Sequence, residues 1–267
     1  MTLDRRYWRL LSLIEDYYTG GERTVGDPPP VRFPTRKTAP APAPAAEVAR
    51  ADSLDAVAGE VAACRACGLC EGRTRTVPGE GAAQPLVLVV GEGPGYDEDR
   101  TGRPFVGRAG EYLDRWLEAI ELRRTDNCFI TNVVKCRPPH NRDPADDESQ
   151  ACLPFLQRQM RLLAPRAILT VGRIAGQLLT GQAATMAALR LRTHSYRIPG
   201  LAHPVPLVAT YHPSGVLRNQ SLRRAVWDDL RRLQHLLAEP GAPASGAGTA
   251  AHATDRASAP PGDRRPD

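Results

Sequence analysis

The sequence predicts an α/β fold, a three-layer αβα sandwich built on a central four-stranded parallel sheet. Three observations predict it. Four short apolar runs, at 86–90, 128–134, 167–171 and 206–210, have the length and β-branching of strands buried on both faces. Helical periodicity follows each, over about 108–122, 146–163, 172–179 and 221–237, and such alternation feeds a parallel sheet covered by helices. The chain has 267 residues, 42% of them hydrophobic, and its apolar runs crowd between Cys64 and Leu237. That suffices for one well-filled core.

In chain order, residues 1–20 come first. Leu3, Tyr7, Trp8, Leu11, Ile14 and Tyr18 stand at roughly helical spacing with charges between them, ended by Gly20-Gly21. This amphipathic helix docks on its own domain or takes a protein partner. Residues 21–50 run through PPP and APAPAPA and read as a Pro/Ala-rich linker. The main domain spans 52–238 and opens with a helix over 52–63 that leads into the cysteines. Residues 239–267, rich in Ala, Gly, Pro and Ser, are expected to be a disordered tail. No run of apolar residues has the length to span a membrane. Asp4, Arg5, Arg6 and Arg9 break what a secretory signal would keep apolar. The expectation is a cytoplasmic monomer.

The run 91–110, GEGPGYDEDRTGRPFVGRAG, leaves the first strand with six glycines, two prolines and four acids, Glu92, Asp97, Glu98 and Asp99. Glycine lets a backbone turn sharply and approach a ligand closely. Open α/β sheets place their ligands at the carboxyl ends of the strands. Carboxylates there are costly without a role, so this run reads as an active-site loop. Asp97 and Asp99 read as solvated helix-start residues that complement the helix dipole. Glu92 after the first strand, Asn132 within the second and His212 after the last can converge on one pocket. An asparagine amide offers a donor and an acceptor to an amide-like edge. A histidine can donate to a developing oxyanion, and Phe105 offers a stacking face.

The formal net charge of +5 suits a polyanionic partner. Lysine occurs only at Lys37 and Lys135, so the excess is nearly all arginine. The six cysteines are Cys64, Cys67, Cys70, Cys128, Cys136 and Cys152. A reducing compartment leaves them unpaired, and ligand-like spacing points to metal. By spacing alone, a four-cysteine zinc site and an iron–sulfur cluster stay equally open.

Three segments, GEGPGYDEDRTGRPFVGRAG, TNVVKCRPPHNRDP and YHPSGVLR, closely resemble those of the family-4, iron–sulfur uracil-DNA glycosylases, over about residues 62–237. The resemblance implies a uracil-DNA glycosylase-like fold and an enzyme that removes uracil from DNA, leaving an abasic site for base-excision repair. It implies Cys64, Cys67, Cys136 and Cys152 as ligands of a [4Fe–4S] cluster, with Cys70 a nearby non-ligand and Cys128 a small core residue. The cluster would tie the N-terminal segment to the loop after the Asn132 strand.

By the same resemblance, Phe105 stacks on a flipped uracil, Asn132 reads its polar edge, and backbone N–H groups around Gly93 contact a uracil oxygen. Glu98 is expected to exclude the methyl of thymine, with Tyr96 as second choice. His212 would stabilise the departing uracil anion and Glu92 would activate the water, a task Glu98 could share. Gly93 stands where the best-known uracil-DNA glycosylases carry an aspartate. The loop with Ser214, Val216, Leu217 and Arg218 is expected to enter the minor groove, Val216 or Leu217 filling the gap left by the base. Arg137, Arg142 and Lys135 are candidate phosphate contacts. Two alternatives are a non-catalytic iron–sulfur DNA-binding protein of a replication or repair complex, and a glycosylase that accepts further deaminated bases.

Overall fold

A computed structural model describes residues 52–238 of the protein. The expectations for 1–20, 21–50 and 239–267 fall outside the described residues.

The chain forms α1 (Leu54–Ala63), α2 (Leu69–Gly72), β1 (Glu80–Gly81), β2 (Val87–Gly91), α3 (Tyr96–Thr101), α4 (Arg108–Glu118) and β3 (Cys128–Asn132). There follow α5 (Asp146–Leu163), β4 (Ala167–Val171), α6 (Arg173–Thr180), α7 (Met186–Leu189), β5 (His194–Tyr196), β6 (Val205–Thr210), α8 (Pro213–Arg218) and α9 (Arg223–Ala238). The sheet has six strands in the order β1-β3-β2-β4-β6-β5. Its centre, β3-β2-β4-β6, is the expected parallel set. The two edge strands pair antiparallel, β1 on β3 and β5 on β6. With two and three residues respectively, they are too short to leave a hydrophobic period in the sequence.

Alternation along each central strand divides the core between two faces. On β2, Leu88 and Val90 pack with Phe129, Leu156, Met160 and Ile168 on one side. Val87 and Val89 pack on the other with Ile130, Leu113, Leu117, Leu169 and Leu230. Cys128 lies on this second face, as a core residue. Two elements end earlier than their apolar patterns. Helix α4 stops at Glu118, just before Glu121 takes a left-handed φ of 62°. Strand β3 stops at Asn132, but Val133 and Val134 N–H still donate to Gly91 and Glu92 carbonyls at 2.9 and 3.1 Å. The chain therefore keeps running beside the loop that follows β2.

Local signals fix the helices that carry the cysteines. Ser53 Oγ accepts from Ala56 N–H at 3.1 Å and caps α1. In α5, Asp146, Asp147 and Glu148 occupy the electropositive first turn, and Glu148 accepts from Ala145 N–H at 2.7 Å. Arg158 of α5 then grips Asp52 at 2.8 Å and Glu60 at 3.0 Å, holding α1 against α5.

Candidate active site

Strands β2 and β3 run in register with Gly91 opposite Asn132, so their tips stand side by side. Only glycine fits at 91, because a Cβ there would fall 2.5 Å from Phe105 Cζ and would also strike Asn132 Oδ1. Asn132 and the Phe105 ring are thereby drawn against one point of the β2 tip. Phe105 itself adopts a left-handed φ of 51°, a conformation that surrounding contacts must hold. Arg124 supplies some of them, donating to the Pro104 and Phe105 carbonyls at 3.0 and 2.9 Å while bridging Glu80 and Asp114 at 2.8 Å each.

His212 follows β6, and its ring centroid lies 5.8 Å from that of Phe105. Ser214 N–H donates to His212 Nδ1 at 3.2 Å, and Ser214 Oγ lies 2.8 Å from the same nitrogen. A backbone N–H can only donate, so Nδ1 is the acceptor and Nε2 carries the proton. Burial, reinforced by Arg218, lowers the imidazole to about 4. His212 is therefore a neutral donor near pH 7.

These groups line one cavity of about 500 Å³, with Glu92, Gly93, Glu98, Phe105, Asn132, His212, Ser214 and Arg218 all in its wall. That volume is in the range of small-molecule sites. Asn132 is buried, and among the described residues its Oδ1 has no hydrogen-bond partner. Such an orphaned acceptor costs about 1–3 kcal/mol unless a ligand supplies a donor.

The carboxylates divide by environment. Burial raises Glu92 to about 7, with the neighbouring Asp143 pushing it further up and Arg173 pulling it back. Asp143 lines the cavity and is ion-paired to Arg173 at the start of α6. Neither residue was among the sequence candidates. The signal was available, since Arg173 stands just past the tip of β4, the third of the four parallel strands, and Asp143 lies in the NRDP loop.

Glu98 has a different place from the one expected. Its Oε1 accepts from Val106 and Gly107 N–H at 2.9 and 3.1 Å, and its Oε2 from Gly95 N–H at 3.1 Å. Both oxygens thus hold the loop closed, from a place in the cavity wall. Tyr96 is 55% exposed and is not among the residues that line the cavity. Asp99 is not a solvated helix-start residue: it is 3% exposed and accepts from Thr74 N–H at 2.9 Å.

The DNA-contact candidates separate in the same way. Val216 is fully buried in the core, so it cannot enter a groove; Leu217 is only half-buried. Lys135 is 1% exposed and cannot reach a phosphate, because its stem folds into the core instead of the surface. Arg218 is exposed at the cavity. Arg142 also lines it, although Glu148 holds its guanidinium by two bonds of 2.7 and 2.8 Å.

A second pocket is lined by Cys64, Cys67, Cys70, Cys136 and Cys152. All five are free thiols. They arrive from the end of α1, from α2 and the turn before it, from the loop after β3 and from α5. No imidazole or carboxylate lines this pocket, so the donor set is wholly soft. Among the described residues no group of three or more His, Cys, Asp or Glu side chains is gathered tightly enough for a single metal ion.

Residues 78–231 match the model of the uracil DNA glycosylase superfamily. The type-4 uracil-DNA glycosylase of Pyrobaculum aerophilum is 44% identical over 171 residues, 62% of this chain and 86% of that protein. That of Archaeoglobus fulgidus is 39% identical over 189 residues, 69% of this chain and 94% of that protein. The type-5 uracil-DNA glycosylase of Mycobacterium tuberculosis is more distant, 32% identical over 156 residues and 58% of its length. A family match over more than half of the chain, with relatives this similar over most of their length, settles the affiliation: the chain belongs to the uracil-DNA glycosylase superfamily, in its type-4 branch.

Proposed function

We propose that this protein hydrolyses the N-glycosidic bond of deoxyuridine in DNA, releasing uracil and leaving an abasic site. The observation that carries this reading is the convergence of Glu92, Phe105, Asn132 and His212 on one cavity, with Asn132 Oδ1 unpaired. A base must leave the stack to enter such a pocket. Phe105 then offers its ring for stacking, and Asn132 offers Oδ1 to the imide N–H of uracil. Cytosine has no such proton, so the unpaired acceptor discriminates by the cost of staying unpaired.

Cleavage moves the electron pair of the C1′–N1 bond onto the base, while positive charge grows on the sugar. The neutral His212 donates its Nε2 proton as a hydrogen bond to the base oxygen that gathers this charge. An imidazole lowered to about 4 is a poor acid, so it stabilises the anion without surrendering the proton. Water attacks C1′, and Glu92 accepts the proton that water loses. A carboxylate raised to about 7 is basic enough for this and still ionised in part at neutral pH. Arg218, Ser214 and the half-buried Leu217 form the lip that would meet the DNA backbone and the gap left by the base.

Cys64, Cys67, Cys136 and Cys152 would hold a [4Fe–4S] cluster. The purely thiol lining supports it, and each thiolate of such a cluster binds a separate iron, so the cysteines need not crowd one point. When bound it cross-links α1, the loop after β3 and α5. The experiment is release of uracil from a labelled uracil-containing oligonucleotide, in duplex and single strand. The parent protein should release it, and Asn132→Ala and His212→Ala should each lose at least about 100-fold in rate. DNA binding without any release by the parent protein would instead favour a non-catalytic binder.

A further inference from the structure

Lys135 is 1% exposed, yet the mechanism above gives it no task. Its Nζ lies 2.6 Å from Thr131 Oγ1, 2.7 Å from the Asn132 carbonyl and 2.7 Å from Gln159 Oε1. Each of these is an acceptor. The Asn132 carbonyl can be nothing else, and the Thr131 hydroxyl spends its own proton on Pro78 O at 2.9 Å. Gln159 gives its Nε2 to the same Pro78 carbonyl at 2.7 Å, which turns its Oε1 toward the lysine. Three acceptors require three donated protons, so the group is an ammonium. A buried charge needs an opposite charge near it. None of its three partners carries one.

Lys135 stands in the wall of the cysteine pocket, beside Cys136 and Cys152. Arg73 stands in the same wall. Its Nη1 donates to Cys136 Sγ at 3.1 Å, and its Nη2 to the Ala62 and Cys64 carbonyls at 3.0 and 2.9 Å. Among the described residues no carboxylate is hydrogen-bonded to it. The wall of the thiol pocket thus includes two cationic residues, Arg73 bonded to a sulfur and Lys135 with its ammonium held by oxygens.

We infer that Lys135 and Arg73 are the built-in counter-charges of the cluster, placed so that the oxidised cluster and its two cations are neutral together. The inference rests on the iron–sulfur reading above. Four thiolates around an oxidised [4Fe–4S] core form a dianion, which two cations balance. Net charge and hydrogen bonds to sulfur set the potential of such a cluster. Removing either cation makes the added electron of the reduced state harder to accept. The potential therefore moves in the negative direction.

The test uses the full chain purified with its metal. Iron and acid-labile sulfide are measured first, then the cluster's reduction potential by a spectroscopically monitored redox titration. Arg73→Gln and Lys135→Met should each shift the potential negative, and Arg73→Lys, which keeps the charge, should stay near the parent. Arg73→Gln and Lys135→Met at the parental potential would overturn the inference. Should Lys135→Met fail to assemble a cluster, the Arg73→Gln and Arg73→Lys pair decides alone. A parent protein without iron would sink the cluster reading itself, a different result from a loaded cluster indifferent to both charges.

Discussion

Glu92 and Asp143 form a carboxyl pair whose charges cannot both be cheap in a half-buried cavity. Burial and the second acid raise Glu92 to about 7, while His212 sits near 4. Below about pH 7 Glu92 is protonated and cannot take water's proton; above it the base is free. His212 stays neutral throughout this range. Single-turnover uracil release should therefore climb with pH through about 7 and then level off. Asp143→Asn removes a charge that lifts Glu92, so the rising limb should move to lower pH. A limb that stays in place would show that Asp143 does not act on the base. Glu92→Gln should cost about 100-fold or more in rate and also stabilise the fold. A carboxyl whose folded value exceeds its unfolded one makes folding dearer once pH exceeds both. The gain, about 1–3 kcal/mol, should be full above pH 7 and vanish as pH falls below the ordinary carboxylate range. Denaturant melts of both proteins at pH 8 and pH 4 would check this.

Among the elements, the loop from β2 to α4 is the one the site depends on. The Glu98 carboxylate gathers N–H groups from both ends of it, Gly95 on one side and Val106 and Gly107 on the other. Glu98→Ala leaves three backbone donors without their acceptor. It should destabilise the protein by about 2–3 kcal/mol and raise KM for uracil-DNA, because the Phe105 platform loses its fixed height. Unchanged stability in a melt would show that water replaces the carboxylate without cost. Gly110 closes the same loop from the other end, since a Cβ there would collide with the Phe105 carbonyl. Gly110→Ala should therefore displace Phe105 and lower activity more than a mid-helix Gly→Ala change would. The glycines and acids of this loop were conspicuous in the sequence. Which acid would clamp and which would act was not, because Glu92 and Glu98 differ only in what folds against them.

For the whole molecule, the cysteine pocket joins parts of the chain that the sheet does not connect. Cys64 ends α1, Cys136 follows β3 and Cys152 lies within α5. Stripping the proposed cluster with a chelator should lower the melting temperature and expose the segment around 62–73 to protease before the sheet unfolds. Limited proteolysis of loaded and stripped protein would check it, and identical digests would mean that the Arg158 grip on Asp52 and Glu60 holds α1 unaided.

By itself the amino-acid sequence determined the parallel strands, the helices between them, the glycine- and acid-rich loop and Glu92, Phe105, Asn132 and His212 as candidates for one pocket, because each leaves a mark of periodicity, residue type or motif. Only the tertiary structure decided the rest. It paired Asp143 with Glu92, turned Glu98 into a clamp, withdrew Val216 into the core and sank Lys135 beside the cysteines. These outcomes depend on burial and charge contributed by residues distant in the chain, and no local pattern records them.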